Sequence, residues 1–208
     1  MNHRIFGALL CAGLLLAGTA AEARKRNMVT DAIDAIGNEI QNNRSYVVPA
    51  TGKLEVAFSP NEGSERLVVR VIDSARQQID VLSYSFTSPA VTEALLRARH
   101  RGVLVRIVAD YRNNISEDRS GKARAALSAL ANGGADVRTI SVYPIHHDKV
   151  ICVDGRTVEL GSFNYSAAAA AKNSENVLVS WDNPELAKVY LGHFERNYRQ
   201  SDVFRTSY

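Results

Sequence analysis

The chain holds few cross-linking or rigidifying residues: among 208 residues there are two cysteines, one tryptophan and five prolines. Cys11 lies in an apolar N-terminal run, so Cys152 is the sole thiol of the remaining chain and cannot pair within it. A protein without internal disulfides must rest on its hydrophobic core. No His/Cys set and no cluster of carboxylates shows metal-ligand spacing, so neither a metal nor a cofactor is expected. There is no internal repeat and no low-complexity tract. Past residue 23, no apolar run is long enough to span a bilayer.

The N-terminus reads as a targeting segment. Arg4 supplies a positive start, Ile5–Ala17 is apolar, and Ala21-Glu22-Ala23 has the small-x-small form of a signal-peptide cleavage site. A lipoprotein reading centred on Cys11 is weaker, because Leu10 rather than a small residue precedes it. Cleavage near Ala23 leaves 185 residues, enough for one domain with a real core. Such a product is expected to be soluble and periplasmic or secreted, with no stable membrane insertion. Residues 24–51 read as an extension: Val29, Ile33, Ile36 and Ile40 lie on one face of a helix, and a linker follows. Residues 52–208 form the domain proper.

The formal net charge is only +3. Yet from Arg97 to Arg124 eight Lys/Arg face three acids, an excess of five. A polyanionic partner would suit this stretch, and so would ordinary solvated helix faces.

Strand-like and helix-like segments alternate. Strands are expected at 53–58, 79–84, 103–109, 136–140, 149–153, 157–160 and 176–181. Helices are expected from Ser64 to Gln77, from Ser88-Pro89 to Gly102, from Gly121 to Asn132 and from Asn183-Pro184 to Arg199. Asp154-Gly155 between two apolar runs signals a hairpin. The pattern implies an α/β fold: a mixed β-sheet flanked by helices on both faces. Loops following strands, here Ser83–Ser88 and Asp110–Asn114, are where such folds build sites. Cys152, inside the apolar run 150–153, is expected to be a buried, inert thiol.

One constellation carries chemistry. His147 and Lys149 are followed by Asp154 and then by Gly161, Ser162 and Asn164, which spells H-x-K, four residues, D, six residues, G-S-x-N. A phosphodiester repels nucleophiles through its negative charge. Lys149 can neutralise that charge, and the Asn164 amide and Ser162 hydroxyl can donate to the non-bridging oxygens. A neutral His147 can attack phosphorus and form a phosphohistidine. A second, protonated histidine can give its proton to the leaving oxygen, which is worth about 10²–10⁴-fold. Glu175 is the candidate for fixing the imidazole tautomer. Asp154 joins the candidates through its place in the pattern, with shaping of the hairpin as its favoured role. Gly161 is expected to permit close backbone approach.

This pattern resembles the signature of the phospholipase D superfamily. Glu55–Pro60, Ile79–Pro89, Val105–Asp110 and the Glu175 region are similar to the small bacterial endonucleases of that superfamily. The resemblance implies a phospholipase D-like nuclease domain, with nucleic acid as substrate: DNA, and RNA as a second candidate. It also implies two signature histidines per site, whereas this chain has one H-x-K. The expected assembly is therefore a homodimer with a composite site on the two-fold axis. Lipid phosphodiesters are the rival substrate, through phospholipase D or phosphatidyl transferase chemistry.

Overall fold

The computed structural model describes Met28 and residues 45–206. The chain divides into two compact units, Met1–Val47 and Val48–Tyr208. The expected signal peptide and the helix expected around 29–40 lie outside the described residues.

The second unit alternates strands and helices as the periodicity requires. In chain order these are β1 (Lys53–Ser59), α1 (Ser64–Ser74), β2 (Gln78–Ser83), α2 (Pro89–His100), β3 (Leu104–Asp110), α3 (Lys122–Asn132), β4 (Asp136–Ile140), β5 (Lys149–Val153), β6 (Thr157–Gly161), α4 (Ala167–Ala171), β7 (Glu175–Trp181), α5 (Pro184–Arg199) and β8 (Asp202–Val203). A π-helical turn, Arg112–Ser116, follows β3. One eight-stranded sheet has the order β1-β7-β6-β5-β2-β3-β4-β8. β2, β3 and β4 run parallel, and the remaining neighbours are antiparallel. The sheet is mixed, with helices on both faces.

Each face has its own core. On one face, Leu67, Val68, Val71 and Ile72 of α1 pack with α2 and α3 over Val81, Ile107, Ile151 and Val179. On the other, Phe194 and Ala187 of α5 cover Leu82, Val108, Val150, Cys152 and Val158. Fully burying side chains of this size is worth about 1.5–3 kcal/mol each. Cys152 is buried, and burial pushes its thiol pKa up to about 12, so it is inert. β1 is an edge strand whose Leu54, Val56 and Phe58 share a face and remain exposed.

Two expectations about α1 need correction. Ser64 does not cap it: Gly63 holds the cap position in a left-handed conformation, and the Ser64 hydroxyl bonds that of Ser59. The helix also ends at Ser74 rather than Gln77. The N–H groups of Arg76, Gln77 and Gln78, which helix extension would use, donate instead to Asp154.

Candidate active site

Strand direction gathers the signature at one end of the sheet. That end is where parallel β2 and β3 finish, where antiparallel β5 and β7 begin, and where β6 finishes. It therefore collects Tyr84, Asp110, Lys149, Ser162 and Glu175 from positions far apart in sequence. Asp154 follows β5 and so lies at the opposite end, beside Gln78.

His147 precedes β5 and is exposed, while Lys149, its first residue, is only 6% exposed. They converge on Tyr84. The His147 ring lies 4.6 Å from the Tyr84 ring, and the Lys149 ammonium sits 5.0 Å from the centre of the same ring. The ammonium also donates to the His147 carbonyl at 2.9 Å. Burial lowers the Lys149 pKa, opposed by the negative charges of Asp148 and Glu175. Tyr84 lies outside the motif but within Ser83–Ser88, one of the two loops expected to build the site. The loop is pinned by buried Asn114, whose amide donates to the Tyr84 carbonyl at 2.6 Å and accepts from the Phe86 N–H at 2.9 Å. The only sequence sign of this is an aromatic residue and an asparagine in the two loops that follow parallel strands.

Asn164 makes no hydrogen bond through its amide nitrogen to the described residues, and its Oδ1 is buried without a partner. The amide is left as a donor for a ligand. Ser162 differs from expectation. Its hydroxyl donates to Glu175 at 2.6 Å and accepts from the backbone and side chain of Asn176, so its proton is committed within the protein. Glu175 is likewise spent on Ser162 and Asn173 and holds no hydrogen bond to its own His147. Within one chain it braces Ser162 and offsets charge at Lys149. Gly161 is required by sheet packing: a Cβ there would lie 2.2 Å from the Asn176 carbonyl oxygen.

Asp154 is outside the site. With φ at 51°, it accepts backbone N–H bonds from Arg76, Gln77 and Gln78 at 2.8–2.9 Å and so joins the hairpin to the start of β2. The basic stretch also disperses. Arg97 and Arg101 meet Asp73, Arg106 meets Asp80 and Glu195, and Arg112 meets Glu117. Arg99 and Arg124 donate to backbone carbonyls. Only Arg119 and Lys122 of the eight hold no such contact through their side chains among the described residues, so the stretch is no continuous basic surface.

The other histidines near the signature are occupied. His146 is 2% exposed, and burial lowers its pKa. His193 of α5 bonds Asp148 at 2.9 Å through Nε2 and Arg196 at 2.8 Å through Nδ1. Burial raises the Asp148 pKa, but its bond and attraction to His193 outweigh this and leave it lowered. Among the described residues no group of three or more His, Cys, Asp or Glu could hold a metal ion. No described helix is long and apolar enough to cross a membrane.

Comparison with known proteins places this geometry in a family. The model of the cardiolipin synthase, PLD-like domain matches residues 68–198. A phospholipase D of Rickettsia conorii is 37% identical over 139 residues, covering 67% of this chain and 66% of that protein. The mitochondrial cardiolipin hydrolase of Xenopus laevis is 30% identical over 137 residues, covering 66% of this chain and 61% of that protein. The chain thus spans about two thirds of the length of these curated relatives. Among solved structures, Nuc, a phospholipase D family member from Salmonella typhimurium, is 44% identical with a TM-score of 0.70, covering 74% of this chain and 98% of that chain. The chain belongs to the phospholipase D superfamily of phosphodiesterases.

Proposed function

We propose that this protein is an exported, metal-independent endonuclease of low sequence specificity. It cleaves DNA, with RNA as a second substrate, through a phosphohistidine at a site shared by two copies of the chain. One observation supports the composite site: among the described residues His147 is the only histidine beside the signature that is exposed and has no hydrogen bond on its ring nitrogens. His146 is buried, and both ring nitrogens of His193 are bonded. In this reading the leaving-group proton comes from the His147 of a second copy. The exposed apolar face of Leu54, Val56 and Phe58 supports a partner surface, since Phe58 pairs with Asn176, which in turn holds Ser162.

In this mechanism one His147 attacks phosphorus and displaces the leaving oxygen, which takes a proton from the other His147. Water then attacks the phosphohistidine, the second histidine now acting as base. Lys149 and Asn164 hold the non-bridging oxygens as charge builds. The nucleic-acid reading rests on the endonuclease-like segments and on the likeness to Nuc along 98% of that chain. Low specificity is consistent with phosphate contacts, which carry no sequence information.

A lipid phosphodiester is the second reading. The names of the curated relatives favour it. The deciding test is supercoiled plasmid incubated with the protein in excess EDTA, beside His147→Ala. Cleavage by wild type alone supports the nuclease. No cleavage by either, with headgroup release from phosphatidylcholine or cardiolipin vesicles, establishes the lipid reading instead.

A further inference from the structure

His147 and Lys149 carry the chemistry, but the residue between them is anchored to another part of the protein. Along an extended segment neighbouring side chains point to opposite sides. Asp148 accordingly turns away from Tyr84 and toward α5. Its Oδ2 accepts from His193 Nε2 at 2.9 Å. The direction of that bond is fixed by Arg196, which contacts His193 Nδ1 at 2.8 Å. A guanidinium can only donate, so Nδ1 accepts and the imidazole proton sits on Nε2, facing Asp148. Asn197 secures the same residue by donating to the His193 carbonyl at 3.0 Å.

α5 is a firm base for this contact. Phe194 is 1% exposed in the second core. Arg106 links Glu195 of α5 to Asp80 of β2, at 2.8 and 2.6 Å, and Tyr198 bonds Asp136 of β4. His147, in contrast, precedes the first ladder residue of β5 and has no strand partner. Its neighbours hold its backbone: the His146 N–H donates to Asp110 at 2.8 Å, the Asp148 carbonyl accepts from the Tyr84 N–H at 2.9 Å, and the Asp148 carboxylate, 3.5 Å from buried His146 Nδ1, is held by His193. The two side chains are 34% and 32% exposed, so their contact adds little to global stability. Its effect belongs in the geometry of its neighbours.

We propose that Asp148 and His193 are positioning residues, a clamp through which α5 fixes the aim of His147 and Lys149. This rests on the phosphodiesterase reading above. Neither residue touches the substrate. Without the clamp the segment keeps its bonds to Tyr84 and Asp110, but the turn between them can shift, so the nucleophile loses alignment while the binding groups stay in place.

The test is hydrolysis of bis(4-nitrophenyl) phosphate by the full chain, with His193→Ala, Asp148→Ala, the double variant and His193→Gln. A misplacement of about 1 Å can cost about 10²-fold. Each alanine variant should therefore lose about 10- to 100-fold in kcat, with KM within about twofold. The double variant should be no worse than either single one, because both break one contact. His193→Gln, whose amide can still donate to Asp148, should recover most of the loss. Thermal midpoints should stay close to wild type. Unchanged kcat in His193→Ala overturns the proposal, as do additive losses in the double variant or a loss that glutamine does not restore. A wild type that leaves the diester intact overturns the phosphodiesterase reading itself, and the clamp with it.

Discussion

Asp154→Ala should cost about 4 kcal/mol of stability and leave the chemistry intact. The carboxylate accepts three backbone N–H bonds at 2.8–2.9 Å. The two to Arg76 and Gln77 are exposed, so water can replace them at a loss of about 1 kcal/mol each. The bond to Gln78 is partly buried, and its loss costs about 1–2 kcal/mol. Asp154 also has a φ of 51°, where alanine is less favourable by about 1 kcal/mol. For a domain of this size the total lowers the thermal midpoint by about 8–16 °C. Urea unfolding measures the stability, and kcat on a synthetic diester, taken where both proteins are folded, measures the chemistry. The pH dependence provides a second check. Burial raises the Asp154 pKa, but the bonds from Gln78, Arg76 and Gln77 and the charge of Arg76 outweigh it and leave it below 3.8. The carboxylate's share of the stabilisation is then complete above pH 3.8 and lost as pH falls through the lower folded value, so the gap between wild type and variant should narrow in acid. A folded Asp154→Ala protein with a tenfold loss in kcat would refute the argument, and so would unchanged stability.

Other substitutions probe the rest of the fold and the site. Burial pushes the Glu159 carboxyl up to about 8, against an ordinary 4.5, so its stabilising neutral form is fully present below pH 4.5 and lost as pH rises through 8. Urea midpoints across pH 5–9 should fall for wild type and stay flat for Glu159→Gln; parallel profiles would contradict this. Tyr84→Phe should keep kcat within about twofold, whereas Tyr84→Ala should lose about 5- to 10-fold, because the ring face and not the hydroxyl meets Lys149 and His147. Equal losses in the two variants would assign the effect to the hydroxyl. Val56 is 57% exposed, so Val56→Asp should leave the protomer folded but break the proposed pairing. Sedimentation should then report a monomer with little activity, and an active dimer would reject this face as the contact.

Local signals predicted most of the fold. β4 and β5 have the expected bounds, and Ser88 and Asn183 cap their helices as their side chains allow. Where the reading failed, the cause lies far away in sequence. Nothing near Gln77 announces that Asp154 will take the N–H groups that end α1. The two-residue β8 and the five-alanine α4 are too short to show a period. At the candidate site, motif spacing singled out His147, Lys149 and Asn164, but not how their neighbours are used. Ser162 and Glu175 satisfy each other, which only the β6–β7 pairing reveals. For the basic stretch, sequence left a polyanion surface and ordinary solvated helix faces both open, because its partners Asp73, Asp80 and Glu195 lie outside that stretch.

The way strand directions gather the site has a kinetic consequence. Tyr84, Lys149, Ser162 and Glu175 meet only after β2, β5, β6 and β7 have paired across long stretches of chain. Contacts of such separation form slowly, because chain closure comes before any reward. Helices such as α2, built from local bonds, can return early in refolding. Catalysis should therefore be the last signal to recover after denaturation and the first to vanish, ahead of helical circular dichroism. The enzyme's own turnover then serves as a clock for completion of its sheet.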